Sequence, residues 1–177
     1  MKHNGYGLET LRPHESIGYY NGLNFSTRQR QAAFIKEIGF YGLAYHHYWF
    51  SGKPVMDHIL QAMLKDGEPK TPFMLSWANE PWTANWDGND VSRVLIPQDY
   101  GSIQDWREHF DWLLSFFRHP LYIRSNGKIQ FIVYKPGHMG PVDPYMYAAW
   151  KQWAIEEGLG GMVSFIHCTK SGIVRRR

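Results

Sequence analysis

Between Pro72 and Gly88 the chain passes from a short apolar run, Phe73-Met74-Leu75, into a stretch holding Trp77, Asn79, Glu80, Trp82, Asn85, Trp86 and Asp87. A loop that only has to turn uses Gly, Asn, Ser and Pro, which tolerate the backbone angles and offer local hydrogen bonds. Three indoles in one loop call for another explanation. Each is a flat apolar surface with one N–H donor, suited to the C–H face of a sugar ring, while Asn, Asp and Glu take the hydroxyls. The alternative is that these tryptophans are core residues that merely follow a strand. Glu80 is the candidate catalytic group. Apolar flanks such as Trp77 and Trp82 disfavour a charged carboxylate, which is how a glycosidase keeps an acid protonated near neutrality. Glycoside cleavage ordinarily needs two carboxylates facing one bond. Asp87 and Asp99 are candidate partners, and each is equally placed to bind a substrate hydroxyl.

His46 and His47 could suggest a metal, but adjacent residues on an extended segment point to opposite faces and cannot share one ion without distortion. No third ligand follows at metal spacing, so neither a metal nor another cofactor is expected. One of the pair is expected to reach the cleft as a hydrogen-bond donor; the other possibility is a satisfied buried histidine. Cys168, the single cysteine, has no activating base near it in sequence. Trp106, Trp112, Trp150 and Trp153 fall on helical segments and read as core or helix-face packing.

Helices and strands in alternation must position these groups. The spacing predicts a helix over 27–38, capped by Ser26 and stopped by Gly39, then a strand over 40–45 that empties into His46-His47-Tyr48-Trp49-Phe50. Pro54 suits the first turn of a second helix running to Lys65, with Val55, Ile59, Leu60, Met63 and Leu64 on one stripe. A strand over 73–77 feeds the site loop, and Val94-Leu95-Ile96 reads as an extended segment closing over the same region. A third helix spans 103–118. A strand over 128–134 follows the turn Ser125-Asn126-Gly127. Asp143 and Pro144 open a fourth helix that Gly158 ends, and the last strand covers 161–166. Residues 1–24 read as an irregular lead-in, 25–168 as the folded part and 169–177 as a basic tail. Strict alternation implies an α/β fold with a parallel sheet covered by helices. The unusual residues sit after strands, as in a (β/α) TIM-barrel type, and no Gly-rich phosphate loop points to a doubly wound sheet. About four parallel strands make an incomplete barrel, and whether another chain completes it stays open.

At 177 residues, length predicts one domain, and the 16% aromatic content exceeds what a core of that size calls for, so some rings are expected to line a cleft or an interface. A formal charge of +3 does not argue for nucleic acid. No stretch approaches a membrane span, and Met1 to Gly5 lacks an apolar leader region. Together with the lone cysteine this leaves a cytoplasmic location as the expectation.

Three blocks together resemble the WbsX-type family: Tyr41 to Lys53, Pro72 to Gly88, and a third that runs from Gln98-Asp99-Tyr100 through Asp105-Trp106, Phe116-Phe117 and Tyr122-Ile123-Arg124 to Tyr134-Lys135-Pro136. That family is described as glycosyltransferase and is related to the endo-α-mannosidase-like domain of glycoside hydrolase family 99. The resemblance covers about Gly18 to Phe165. It implies a (β/α)8 barrel working on an oligosaccharide or polysaccharide without a required metal. In the hydrolase relatives an α-mannosidic bond is cleaved with retention by carboxylates of an Asn-Glu-Trp-x-Glu-type motif on a late strand. That motif is absent here, as is the opening Tyr-x-Pro-Gln-x-His-Pro pattern, and Pro81 stands where Asn is common. The chain thus resembles the middle of the domain. Carried over, Glu80, Trp77, Asn79, Trp82, Trp86, Asp87, His47 and Tyr48 would line the sugar site, with Asp99 and Tyr134 beside them. A sugar-binding fragment without catalytic activity is the alternative.

Overall fold

The computed structural model describes residues 13–84 and 93–159 in full, and the backbone of residues 164–169 and 172–175. Helix α1 covers Phe25–Glu37, and its buried residues are Thr27 and Arg28 rather than the expected apolar stripe. Phe34 and Ile38 stay exposed. What anchors this helix is the Arg28 guanidinium, which donates to the carbonyls of Glu68, Gly22 and Leu23 at 2.8–3.0 Å and pairs with Asp66. A cation 2% exposed is tolerable only when its donors are met in this way.

Strand β1 spans Leu43–Phe50, so the strand begins later than expected and takes in the whole His-His-Tyr-Trp-Phe run. Ser51 and Gly52, at φ 45° and 80°, then turn the chain into β2, Lys53–Val55, which lies antiparallel to β1. Pro54 is therefore on an edge strand, where its missing N–H costs little, and not at a helix start. Helix α2 runs over His58–Asp66 and ends at Gly67, whose φ of 72° is the left-handed cap position. Strand β3 is Phe73–Trp77; beyond it β4, Trp82–Thr83, pairs antiparallel with β5, Val94–Ile96, as a separate small ribbon.

Helix α3, Ile103–Phe117, opens with a capping box between Ser102 and Asp105. β6, Arg124–Ser125, and β7, Lys128–Val133, form a hairpin through Asn126 and Gly127, both at positive φ. Two short 3₁₀ turns lead into α4, Asp143–Glu156, with Pro144 in its first turn. β8 covers Ser164–Thr169, the first three residues of the expected strand lying outside the described residues, and β9, Gly172–Arg175, pairs back on it antiparallel where a tail was expected.

The main sheet has the order β2-β1-β3-β7-β8-β9, with β1, β3, β7 and β8 mutually parallel. Among the described residues the fold is mixed α/β, with four helices and four parallel strands, and no barrel is closed. On one face, Trp49 of β1, Leu75 and Trp77 of β3 and Phe131 and Val133 of β7 meet Phe110, Leu113 and Phe117 of α3 and Trp150 of α4. The alternation is the period-2 pattern of a sheet with one face under helices. Burying each of these large side chains contributes roughly 1.5–3 kcal/mol. Tyr122 ties β3 to β7, accepting from the Leu75 N–H at 3.1 Å and donating to the Gln130 carbonyl at 3.0 Å. Among the described residues, no helix is long and apolar enough to cross a membrane.

Candidate functional site

A cleft of about 820 Å³ opens where β1, β3 and β7 deliver their last residues. His46 and Tyr48 reach it from alternate positions of β1, Ala78 and Glu80 to Thr83 from the segment leaving β3, Tyr134 and His138 from the segment leaving β7, and Leu95 from the ribbon. Two aromatic groups stand in it. The Trp82 indole meets the Tyr48 ring edge-on, with centroids 5.1 Å apart, and Phe50 backs it at 5.6 Å. Tyr134 and His46 form the other, 5.6 Å apart and nearly perpendicular. Glu80 lines the cleft as expected, but its partner is not an indole: Lys135 Nζ lies 3.7 Å from its Oε2 and 5.2 Å from the Tyr134 ring centroid. Both side chains of that ion pair are about two-fifths exposed, so it adds little to stability. Indole flanks alone therefore do not describe the setting of Glu80.

The remaining expected residues are placed elsewhere. Asn79 is fully buried, and its amide is committed to the backbone: Nδ2 donates to the Lys135 carbonyl at 2.8 Å and Oδ1 accepts from the Lys135 N–H at 2.7 Å. The Tyr100 hydroxyl donates to the Asn79 carbonyl at 2.8 Å, and burial pushes that phenol up to about 12. Asn79 thus joins the segments leaving β3 and β7 and fixes where Glu80 and Lys135 stand. Trp77 is 2% exposed and packs on the helix side, 4.8 Å from the His109 ring and 5.8 Å from Tyr100. Asp99 is exposed; its Oδ1 accepts from the Gly101 N–H at 2.9 Å, and it lies at a separate, smaller recess. Trp86 and Asp87 lie outside the described residues.

His47, expected at the sugar site, is buried on the helix side. Its Nε2 lies 2.9 Å from Nε2 of His109, and its ring stacks near Trp112 and Phe131. With both rings neutral, one Nε2 donates and the other accepts. Burial pushes His47 down to about 3, with the neighbouring His46 adding to the effect, and burial likewise holds His109 well below the usual histidine value. The histidine that reaches the cleft is His46. Parity is the signal that finds it: Tyr48 and His47 cannot share a face of one strand, whereas Tyr48 and His46 can. His138, in the 3₁₀ turn after β7, carries no such signal. Among the described residues no three His, Cys, Asp or Glu side chains converge as a metal site would require.

Stacking rings beside a carboxylate, a lysine and two imidazoles suit a polyhydroxylated ligand with apolar ring faces. The family agrees with that chemistry. The family model of glycosyltransferase WbsX matches residues 9–175, and the chain belongs to that family. Over 154 residues it is 30% identical to the protein WxcX of Xanthomonas campestris pv. campestris, in two strains, which is itself described as uncharacterized. The matched region is 87% of this chain and 22% of those relatives, so the chain spans about a fifth of their length. No solved structure matches it significantly.

Proposed function

We propose that this chain forms a sugar-binding part of a carbohydrate-active enzyme working on glycosidic bonds of an oligosaccharide or polysaccharide. Trp82, Tyr48 and Tyr134 serve as stacking surfaces, and Glu80 is the catalytic carboxyl. The observation that carries the reading is the convergence of these four residues on one cleft of about 820 Å³, in a chain of the WbsX family. A hexose presents apolar C–H faces and a girdle of hydroxyls; Trp82 and Tyr134 suit the first, and Glu80, His46 and His138 the second. In glycosyl transfer a carboxylate within reach of the acceptor hydroxyl takes its proton as the acceptor oxygen bonds to the donor sugar's anomeric carbon and the bond to the donor's leaving group breaks, that group departing with the electron pair.

A second reading, a sugar-binding surface without turnover, is favoured by one specific feature. Among the described residues Glu80 is the only carboxylate lining the cleft, and it is paired with Lys135. Titrating the chain with a panel that includes manno-oligosaccharides, followed by tryptophan fluorescence, tests both readings. Saturable binding weakened about tenfold by Trp82→Ala is expected, equivalent to about 1.4 kcal/mol. Binding indifferent to that change sinks both. Glu80→Gln separates them, since it abolishes turnover in the first reading and leaves binding nearly intact in either.

A further inference from the structure

The cleft carries more aliphatic surface than the ring faces of a hexose call for. Besides its aromatic side chains it is lined by Met56, Ala78, Pro81 and Leu95, which arrive from the junction of β2 and α2, the segment leaving β3 and the ribbon. Met56 and Leu95 are 68% and 54% exposed. An unsubstituted hexose offers C–H on its two faces, which Trp82 and the tyrosines suit, and hydroxyls around its edge. An aliphatic side chain against that edge strips water from hydroxyls and returns no hydrogen bond.

The backbone at Met56 is a second, independent observation. Its φ of 56° lies in the left-handed region, which a residue with a long side chain rarely adopts. Ser51 and Asn126, the other non-glycine residues at positive φ among those described, sit in the turns of the β1–β2 and β6–β7 hairpins, where the turn requires it. Met56 is in no hairpin; it joins β2 to Asp57, the residue before the first turn of α2. Glycine or asparagine would give that junction the same backbone without the strain. A strained position thus holds an exposed thioether side chain at the lining of the cleft, and the backbone alone does not account for methionine there. Unbranched and polarizable, methionine adapts to a small apolar group.

We propose that the cleft selects a sugar that carries a methyl group on its edge, Met56 covering that methyl while the aromatic side chains take the ring face. A 6-deoxy sugar presents such a group as its C6 methyl, and an acetamido sugar presents it as its acetyl methyl. Both put apolar carbon where a plain hexose has a hydroxyl. This rests on the sugar-binding reading of the cleft and names the class of sugar. Met56 acts here on the choice of ligand and takes no part in proton transfer.

Titration and saturation-transfer NMR of the chain with free glucose, galactose and mannose, their 6-deoxy forms and their 2-acetamido forms test it. In at least one series the methyl-bearing sugar is expected to bind about fourfold tighter than the parent hexose, the gain from burying one carbon of that size. Its methyl protons are expected to receive the strongest transfer. A gain in the 6-deoxy forms identifies the C6 methyl, and one in the acetamido forms the acetyl. Met56→Gly, which accepts the backbone angle, is expected to bring the affinity ratio close to one and to leave the urea midpoint no lower. Met56→Asn, which also tolerates the left-handed region, serves should the glycine variant not fold. Equal affinities for parent and methyl-bearing sugars in all three series overturn the inference and leave the sugar-binding reading standing, as does a ratio that neither variant changes. A chain that binds none of these sugars overturns both.

Discussion

His46 and His47 are neighbours in sequence and stand on opposite faces of β1, and the two faces live by different rules. On the helix side His47, Trp49, Trp77 and Phe131 interlock with α3 and α4, and a histidine there survives only as a neutral ring bonded to another. On the cleft side His46, Tyr48 and Tyr134 are partly or well exposed, and all three line the cleft. The same strand therefore packs the core with His47 and Trp49 and lines the cleft with His46 and Tyr48. Substitutions on the two faces should separate folding from binding.

The largest effect is expected in the core. Trp150→Ala removes a fully buried ring that Phe110, His109 and Phe131 surround, and should cost about 3–5 kcal/mol of unfolding free energy in urea. A loss below 1 kcal/mol would mean that the two faces are not so divided.

Acid comes next. A histidine held neutral in the folded state binds its proton only in the unfolded chain, so its contribution is complete above the ordinary value of about 6.5 and is lost as pH falls from there toward about 3 for His47. Between pH 6.5 and 5 that amounts to about 2 kcal/mol, at about 1.4 kcal/mol per pH unit. Urea midpoints measured across this range should fall steeply for the parent chain and less steeply for His47→Gln. Parallel slopes for the two would dissolve the contrast.

Asn79→Ala probes the boundary between the faces. It leaves the Lys135 N–H and carbonyl without their amide partner, for which about 1–3 kcal/mol of stability is expected, together with weaker sugar binding. The smallest effect belongs to the cleft: Lys135→Met, which breaks the exposed pair with Glu80, should change stability by less than about 1 kcal/mol while altering sugar affinity.

Much of this division was legible in the residue pattern. The four parallel strands, helices α3 and α4, the Asn-Gly hairpin and Trp82 in the loop after β3 follow from periodicity, turn chemistry and composition, whereas Tyr48 came from the family resemblance. Three features did not. Ser51-Gly52 makes a hairpin rather than a run into a helix, because Pro54 suits an edge strand as well as a helix start, and only the pairing with β1 decides between them. Asn79 looks like a ligand residue by type, yet its amide finds a backbone partner 56 residues on, a long-range match that no local spacing encodes. Arg28 breaks the expectation for α1, since a helix can be anchored by one buried guanidinium meeting the carbonyls of the preceding turn and of Glu68, 40 residues on, instead of by its apolar stripe.

The Asn79 amide bonds to the peptide group of residue 135 and not to its side chain. Position 135 is therefore free to change its chemistry, as an engineer retuning specificity would want, while its distance along the chain from β7 is not. Inserting or deleting a single residue between Val133 and Lys135 would uncouple the two rims of the cleft. Any transplant of this site onto another scaffold must carry both segments together, at their present lengths.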